Sequence, residues 1–361
     1  MAKTKYTPFL KLKVNEVGAI VELSSEVTQC ITPFFDLPRK KGMTAASFCS
    51  MVTKAASKME RLLGDLGPFY LDNFDIPDDI AVDGGPNYQF VIQEFANTSF
   101  IPVVGLNRTP HHNEAIFEAK KAGLLGSDTV AIRLVAEDFE DFLLVDIEFA
   151  GLVERAKECF PEQALILDCR MCLNASAVAL AAAIQAFINA AEAAFEFSEI
   201  IVAGSSIPAQ IREVAKVEDA AEVARVELDI FSVLKNQAGM AHLGFGDYTV
   251  VSPMYSDLDM APELLRNVTA PKILYGHDGI HYIARGGALK THVRGNLQYN
   301  DMLADIVALP IYRGAEYSYG DAFIAEKAAQ LGGKQVTPSS ILKPTINAHI
   351  TYMAIDHPLM A

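Results

Sequence analysis

One pattern repeats through the first 255 residues and constrains this chain more than any other feature of it. A short apolar, β-branched or aromatic run ends in a polar residue, and a longer stretch with helical spacing follows. The strand candidates are Thr7–Lys13, Ile31–Leu37, Pro68–Asp72, Phe100–Leu106, Thr129–Val135, Ala164–Cys169, Glu199–Gly204 and Tyr248–Pro253. Their starts lie about 24 to 49 residues apart, room for one helix and two short loops each. Parallel neighbours need a crossover of a dozen residues or more, so this spacing predicts a parallel sheet. Runs such as Ile200-Ile201-Val202-Ala203 are apolar on both faces, as strands between a core and a helix layer must be. Eight such strands predict an α/β fold, a closed (β/α)8 TIM-like barrel. An open doubly wound sheet is the alternative, but it usually has fewer strands, and no glycine-rich dinucleotide fingerprint follows the first strand.

The helices expected in the gaps are Asn15–Leu23, Ala45–Leu63 opened by Thr44, Asn113–Ala122, Asp138–Phe149, Asn174–Phe195 and Asp219–Lys235. After Pro253 the pattern changes. Residues 271–289 read as a hairpin turning at Gly276-His277-Asp278-Gly279, and 290–361 mix helices (Asp301–Ala308, Ala322–Leu331) with glycine- and proline-rich loops. The expected organisation is a barrel over 1–260 and a C-terminal appendage over 261–361, packed on it without a disordered linker.

Charge narrows the partners. The net charge of -15 repels phosphate backbones, so nucleic acid is disfavoured, and Arg39-Lys40-Lys41 reads as a solvated loop. The N-terminus has no continuous apolar stretch of the signal-peptide kind. Ala177–Phe195 is apolar enough to be weighed as a membrane span, but it is alanine-rich and carries Gln185, Asn189 and Glu192, so a barrel helix is expected and no membrane partner. Five cysteines, Cys30, Cys49, Cys159, Cys169 and Cys172, suit a reducing cytoplasm, and Cys169-x-x-Cys172 lacks the second pair that a zinc site needs.

In this fold chemistry sits at the C-terminal ends of the strands. Those ends deliver Lys11, Lys13 and, one turn on, Glu16; then Asp36, Asp72, Asn107, Arg108, Asp168, Arg170, Ser205 and Ser206, with Arg133 inside the fifth strand. Asp247 and Tyr248 are expected at the start of the eighth strand, with Ser252 and Tyr255 at its end. Asp36, Asp72 and Asp168 each follow an apolar run, where burial is costly without a partner. They could ring a divalent metal, cap helices, or pair with arginines, while Lys11, Lys13 and Arg133 could hold an anion. A catalytic lysine at 11 or 13 would need a depressed pKa. Elsewhere the acidic loop Asp72, Asp75, Asp78, Asp79, Asp83 lacks calcium-loop spacing, His111-His112 reads as a surface pair, and Ser205-Ser206 lacks the nucleophile elbow.

Several short motifs resemble the bacteriophage beta protein family. They are Tyr6-Thr-Pro-Phe-Leu-Lys-Leu-Lys-Val-Asn-Glu16, Ile31-Thr-Pro-Phe-Phe-Asp-Leu-Pro38, Phe245-Gly-Asp-Tyr248 with Ser252-Pro253, Ile283-Ala-Arg-Gly286, Tyr317-Ser-Tyr-Gly-Asp321 and Asn347-Ala-His349. The late hairpin departs from the family pattern: the family tends to carry a tryptophan there, and this chain has none, which bears on the surface near Tyr282. The resemblance implies a phage-related protein of phages and bacterial defence neighbourhoods. It brings no established reaction or cofactor. It points to Lys11, Glu16, Asp36, Asp247, Tyr248, Arg285 and His349 as motif positions. The expected function is a component of phage–host conflict whose rim recognises a small anionic ligand or a protein partner. A metal-assisted hydrolase using Asp36, Asp72 and Asp168 is the alternative, and a partner would favour an exposed apolar patch on the appendage.

Overall fold

The computed structural model describes residues 6–64, 66–255 and 269–360. In chain order its elements are β1 (Tyr6–Lys11), α1 (Val14–Val21), α2 (Ser25–Gln29), β2 (Phe34–Asp36), α3 (Ala45–Leu63), β3 (Phe69–Asp72), the short pair β4 (Ala81–Val82) and β5 (Gly85–Pro86), α4 (Asn87–Glu94), β6 (Phe100–Val104), α5 (Pro110–Lys121), β7 (Thr129–Val135), α6 (Ala136–Phe139), α7 (Phe142–Cys159), β8 (Glu162–Met171), α8 (Ala177–Ala194) and β9 (Glu199–Ser205). Then follow β10 (Asp219–Ala224), α9 (Val226–Lys235), β11 (Gly244–Asp247), the hairpin β12 (Lys272–His277) and β13 (Ile280–Arg285), α10 (Gln298–Ala308), α11 (Tyr319–Ala328) and α12 (Leu342–Ile355).

Eight parallel strands close in the order β1-β11-β9-β8-β7-β6-β3-β2. The expected (β/α)8 TIM-like barrel is therefore the fold. Its interior is filled from two unequal sides. Phe9, Phe34 and Tyr70 stack from β1, β2 and β3, with centroids 4.4 and 5.7 Å apart, and face Ala131, Ala164 and Ala203 from β7, β8 and β9. With Ile101, Val103, Ile166 and Ile201 in the same cluster, side chains fill the barrel, so the core is packed rather than hollow.

The eighth strand is Gly244–Asp247, not the expected Tyr248–Pro253. The expected segment has the β-branched residues; the real strand has two glycines. Contact explains the choice: a Cβ on Gly246 would stand 2.7 Å from Phe9 and 2.9 Å from the Thr7 carbonyl, so only glycine lets β11 close on β1. Asp247 thus ends its strand instead of opening one. The helix expected over 219–235 is also divided. Asp219–Ala224 pairs antiparallel with β13, giving a second sheet of order β10-β13-β12, and only Val226–Lys235 is helical. An alanine-rich hexapeptide has been recruited by a partner more than fifty residues away, which local propensity cannot register.

Helix α12 was not expected as an element, because Thr345, Ile346, Asn347 and Thr351 are poor helix formers. It is buried on nearly every side and packs on α1, α2 and α11. Asn347 accepts from the Gly320 amide at 2.9 Å and donates to the Ala19 carbonyl at 3.1 Å, tying α11, α12 and α1 together. The crossing is close enough that a Cβ on Gly320 would lie 2.0 Å from the Pro344 carbonyl. Helix α8 is long and apolar enough to cross a membrane by length and composition, yet it lies in the outer helix ring with Ala181, Ile184, Phe187, Ile188 and Ala191 buried.

Candidate functional site at the barrel mouth

Arg133 dominates the mouth. The strand run Thr129-Val-Ala-Ile-Arg-Leu-Val135 turns it inward, above Phe9 and Phe34, and it is wholly buried. Its guanidinium meets all three of the expected carboxylates. Nη1 donates to Asp36 at 2.7 Å and to Asp72 at 2.8 Å; Nη2 and Nε donate to Asp168 at 2.6 and 3.1 Å. Nη2 also donates to the Tyr248 hydroxyl at 2.9 Å, and that hydroxyl donates to Asp168 at 2.6 Å. All five guanidinium N–H groups are thereby occupied, so none is left for a ligand. Arg108 adds a two-oxygen grip on Asp72, at 2.6 and 2.8 Å. Phe74 lies over the top, within 4.2 to 4.7 Å of Arg108, Arg133 and Arg170.

Electrostatics separates these carboxylates. Burial raises the Asp72 carboxyl, but Arg108 and Arg133 outweigh it and leave it below its ordinary range. Burial raises Asp36 to about 6, because Arg133 opposes it alone while Asp75 and Asp72 reinforce it. The three side chains point at a shared guanidinium rather than at an open point. Among the described residues no group of three or more His, Cys, Asp or Glu is arranged to hold a metal.

The register irregularity late in β8 and the end of β11 use the same device. Asp168 accepts the Arg170 amide at 2.9 Å and Asp247 accepts the Thr249 amide at 2.8 Å, two residues on in each case. Both receiving residues are left-handed, with φ of 49° and 55°. For a β-branched threonine that conformation costs about 1–3 kcal/mol, maintained by the surrounding contacts.

Lys11 and Lys13 stand apart from the arginine. Lys11 ends β1 in register with Asp36, but its ammonium rests 3.5 Å from the centroid of the Tyr255 ring. Its side chain is buried and makes no hydrogen bond or ion pair among the described residues. Burial lowers its pKa to about 8; Lys13 and Arg170 act in the same direction, while Asp75 and Asp36 oppose. In front of it opens a cavity of about 280 Å³ between the rim and the C-terminal hairpin. Lys13, Lys272, Ser252, Tyr255 and Tyr299 supply its polar groups, and Ile207, Val250, Leu274 and Ile341 much of its apolar wall. The Tyr299 hydroxyl is buried with no partner among the described residues.

Asp247 belongs to a different cluster, beneath the C-terminal elements. It accepts from the Tyr6 hydroxyl at 2.8 Å, from Arg225 at 2.6 Å and from His349 Nε2 at 2.9 Å. Burial raises its carboxyl, but His349, protonated in the acid range where this carboxyl titrates, and Arg225 outweigh that and hold it well below its ordinary range. Arg225 also reaches Glu227, which accepts from Ser206 at 2.6 Å and lies 3.7 Å from His281. Burial lowers His281 to about 4 and lowers His349 as well, so both are neutral at pH 7.

The remaining candidates divide. Tyr248 lies inside the barrel and bridges Arg133 to Asp168. Glu16 is buried in α1, its carboxyl raised by burial and its Oε2 without a partner among the described residues. Arg285 is away from the mouth and donates to the Ala215 carbonyl at 2.8 Å, a structural tie. Asp75 joins the mouth through Arg170 at 3.2 Å, while Asp78, Asp79 and Asp83 are exposed or nearly so. His111 is exposed as expected, but His112 is not: it packs 4.7 Å from the Tyr88 ring, with Nε2 3.3 Å from the Val103 carbonyl. Cys169 and Cys172 are free, buried thiols. Sequence reasoning missed Phe74, Arg225, Glu227 and the role of His281. Glu227 did leave a trace, since it shares a helix face with Phe231 and Leu234, where a charge has to be paired.

No curated protein matches this chain. The model of the Beta protein family matches residues 6–355, nearly the whole length, and the chain belongs to that family.

Proposed function

We propose that the rim cavity beside Lys11 is a recognition site for a small anionic ligand. The observation that carries this is the division of charge at the mouth. Arg108, Arg133 and Arg170 face Asp36, Asp72, Asp168 and Asp75, which leaves one negative charge; Lys11, Lys13 and Lys272 around the cavity reverse it to two positive. A chain of net charge -15 has placed a cationic, partly apolar recess here. Its volume of about 280 Å³ lies at the lower edge of ordinary ligand sites, roughly 300–1,000 Å³, and favours a metabolite of a few carbons over a nucleotide.

The test is a thermal-shift titration with short-chain carboxylates, keto acids, inorganic phosphate and nucleoside monophosphates. Binding to the native state raises the melting temperature by mass action. The expected result is a saturable rise with small carboxylates, with affinity at least about tenfold weaker in the double variant K13E/K272E, equivalent to about 1.4 kcal/mol. No rise with any member, or a rise that the double variant keeps, overturns the reading. A setting in phage–host conflict rests on the family resemblance alone. Plaque counts on cells with and without the protein test it, and equal counts overturn it. A protein partner has its own surface to be tried, because neighbouring exposed aliphatics lie on α7, at Leu143, Leu144 and Ile147.

A further inference from the structure

We propose that Lys11 is a carbonyl-capturing amine, and that the rim cavity takes a small aldehyde or keto acid whose carbonyl carbon bonds to Lys11 Nζ. This rests on the anion-binding reading of the same cavity and adds a covalent step to it. Four observations converge. The backbone of Lys11 is fixed by the β1–β2 register, Lys11 opposite Asp36. The side chain is buried with its amine over an aromatic face and without an ion pair among the described residues. Lys11 lines a cavity large enough for a short keto acid. Lys13 and Lys272 border the same cavity, where a carboxylate could rest while the carbonyl faces Nζ.

The chemistry needs no co-reactant. The neutral amine adds its lone pair to the carbonyl carbon, and the C=O π pair moves to oxygen, which takes up a proton to give a carbinolamine. The nitrogen gives up its two protons in turn, the carbinolamine hydroxyl takes up a second proton, the C–O electron pair leaves with the departing water, and the nitrogen lone pair forms the C=N bond. Amine plus carbonyl becomes imine plus water, with nothing oxidised or reduced. Ser252 and Tyr255 line the cavity; their oxygens accept the Met254 and Arg39 amides, so each hydroxyl keeps its own proton to give to the departing oxygen. Burial supplies the reactive form: with a pKa of about 8 roughly a tenth of the amine is neutral at pH 7, some two hundred times more than for an ordinary lysine.

The full-length protein is incubated with glyoxylate, pyruvate or succinic semialdehyde plus cyanoborohydride, and the reduced adduct is mapped by peptide mass spectrometry. The expected result is one saturable adduct, on Lys11, whose trapping rate rises through about pH 8 rather than through the ordinary lysine range near 10.4. K11R keeps the positive charge but cannot form the imine, and is expected to lose the adduct. If K11R does not fold, the pH profile and the mapped site in the wild-type chain decide alone. No adduct, or labelling spread evenly over lysines, overturns the covalent step. If the acids still raise the melting temperature and K13E/K272E abolishes that rise, only the imine fails; if the rise is absent too, the anion-binding reading falls with it.

Discussion

Two of the buried ionic clusters among the described residues are built to opposite plans. At the mouth, one arginine from β7 serves carboxylates from β2, β3 and β8, with Tyr248 as a relay. Every one of these groups belongs to the barrel, so the cluster fastens the barrel to itself. Beneath the C-terminal elements, Arg225 lies between Asp247 and Glu227, and two neutral histidines come in from outside, His281 on β13 and His349 on α12. That cluster fastens the appendage to the barrel. The first concentrates charge on one side chain; the second distributes it and ends in groups that are neutral at pH 7 but can be protonated.

Removing the central cation of each cluster, or its anchor, should therefore fail in different ways. Breaking one buried pair typically costs about 3–5 kcal/mol, because an uncompensated charge stays behind. Arg133→Met would strand Asp36, Asp72 and Asp168 together, an effect at or above the top of that range and comparable with the whole stability of many domains. The expected outcome is a chain without a cooperative urea transition in circular dichroism. Arg133→Lys should not rescue it, since one ammonium cannot reproduce a planar five-donor fork. Asp247→Asn removes the charge facing Arg225 and is expected to cost a few kcal/mol, about that of one buried pair. Its signature is regional: hydrogen exchange should speed up in α12 and β12–β13 while β7 and β8 keep their protection. Uniform loss of protection would mean that the two clusters form one unit.

Acid sharpens the same comparison, because the clusters titrate with opposite signs. His281 sits at about 4 in the fold against about 6.5 unfolded. Between those values the unfolded chain binds more protons, so this stability is complete above about pH 6.5 and is lost as pH falls toward 4. His349 is lowered in the same direction, and His357, beside Tyr352, is at about 4. Asp36 is the reverse: at about 6 folded and 3.8 in its ordinary state, it binds its proton more readily in the fold, so its contribution grows as pH falls from 6 toward 3.8. The barrel also has His112, at about 4, working against it. Three histidines in the appendage against one in the barrel, offset by Asp36, predict that the appendage loosens first. Exchange measured by mass spectrometry from pH 7 down to about 5 should show α12 and the hairpin opening before the barrel strands. Simultaneous opening would contradict this assignment.

How far each cluster can be read from the sequence follows from where its members lie. The mouth was largely legible. Asp36, Asp72 and Asp168 end apolar runs, and Arg133 interrupts one, so a strand register brings all four to the same end of a barrel. What the sequence left open was their purpose, since a ring of carboxylates serves a metal or an arginine equally well until distances are known. The second cluster was hidden. Arg225 and Glu227 sit at a strand–helix junction that reads as continuous helix, and their partners come from segments about fifty and more than a hundred residues away. The β11 error has a related cause: Tyr248-Thr-Val-Val has the residues of a strand, but Thr249 is left-handed, and two glycines form the strand because Phe9 leaves no room for more.

The left-handed residues give the smallest and cleanest test of the comparison. Arg170 and Thr249 take the same strained conformation on the amides received by Asp168 and Asp247, one beside each cluster. Glycine removes the strain at both, but the residues are not equivalent. Thr249 is buried and its hydroxyl has no partner among the described residues, so Thr249→Gly gives up little and should gain stability, by about 1 kcal/mol at most after the added freedom of the unfolded chain is counted. Arg170 donates to Asp75 at 3.2 Å and to the Pro253 carbonyl at 3.1 Å and lies against Phe74, so Arg170→Gly loses as much as it gains and leaves Asp75 without that arginine beside Lys11. The midpoint of urea unfolding should rise for Thr249→Gly and stay level or fall for Arg170→Gly. A rise of equal size in both would mean that Arg170 contributes nothing to the mouth beyond its backbone.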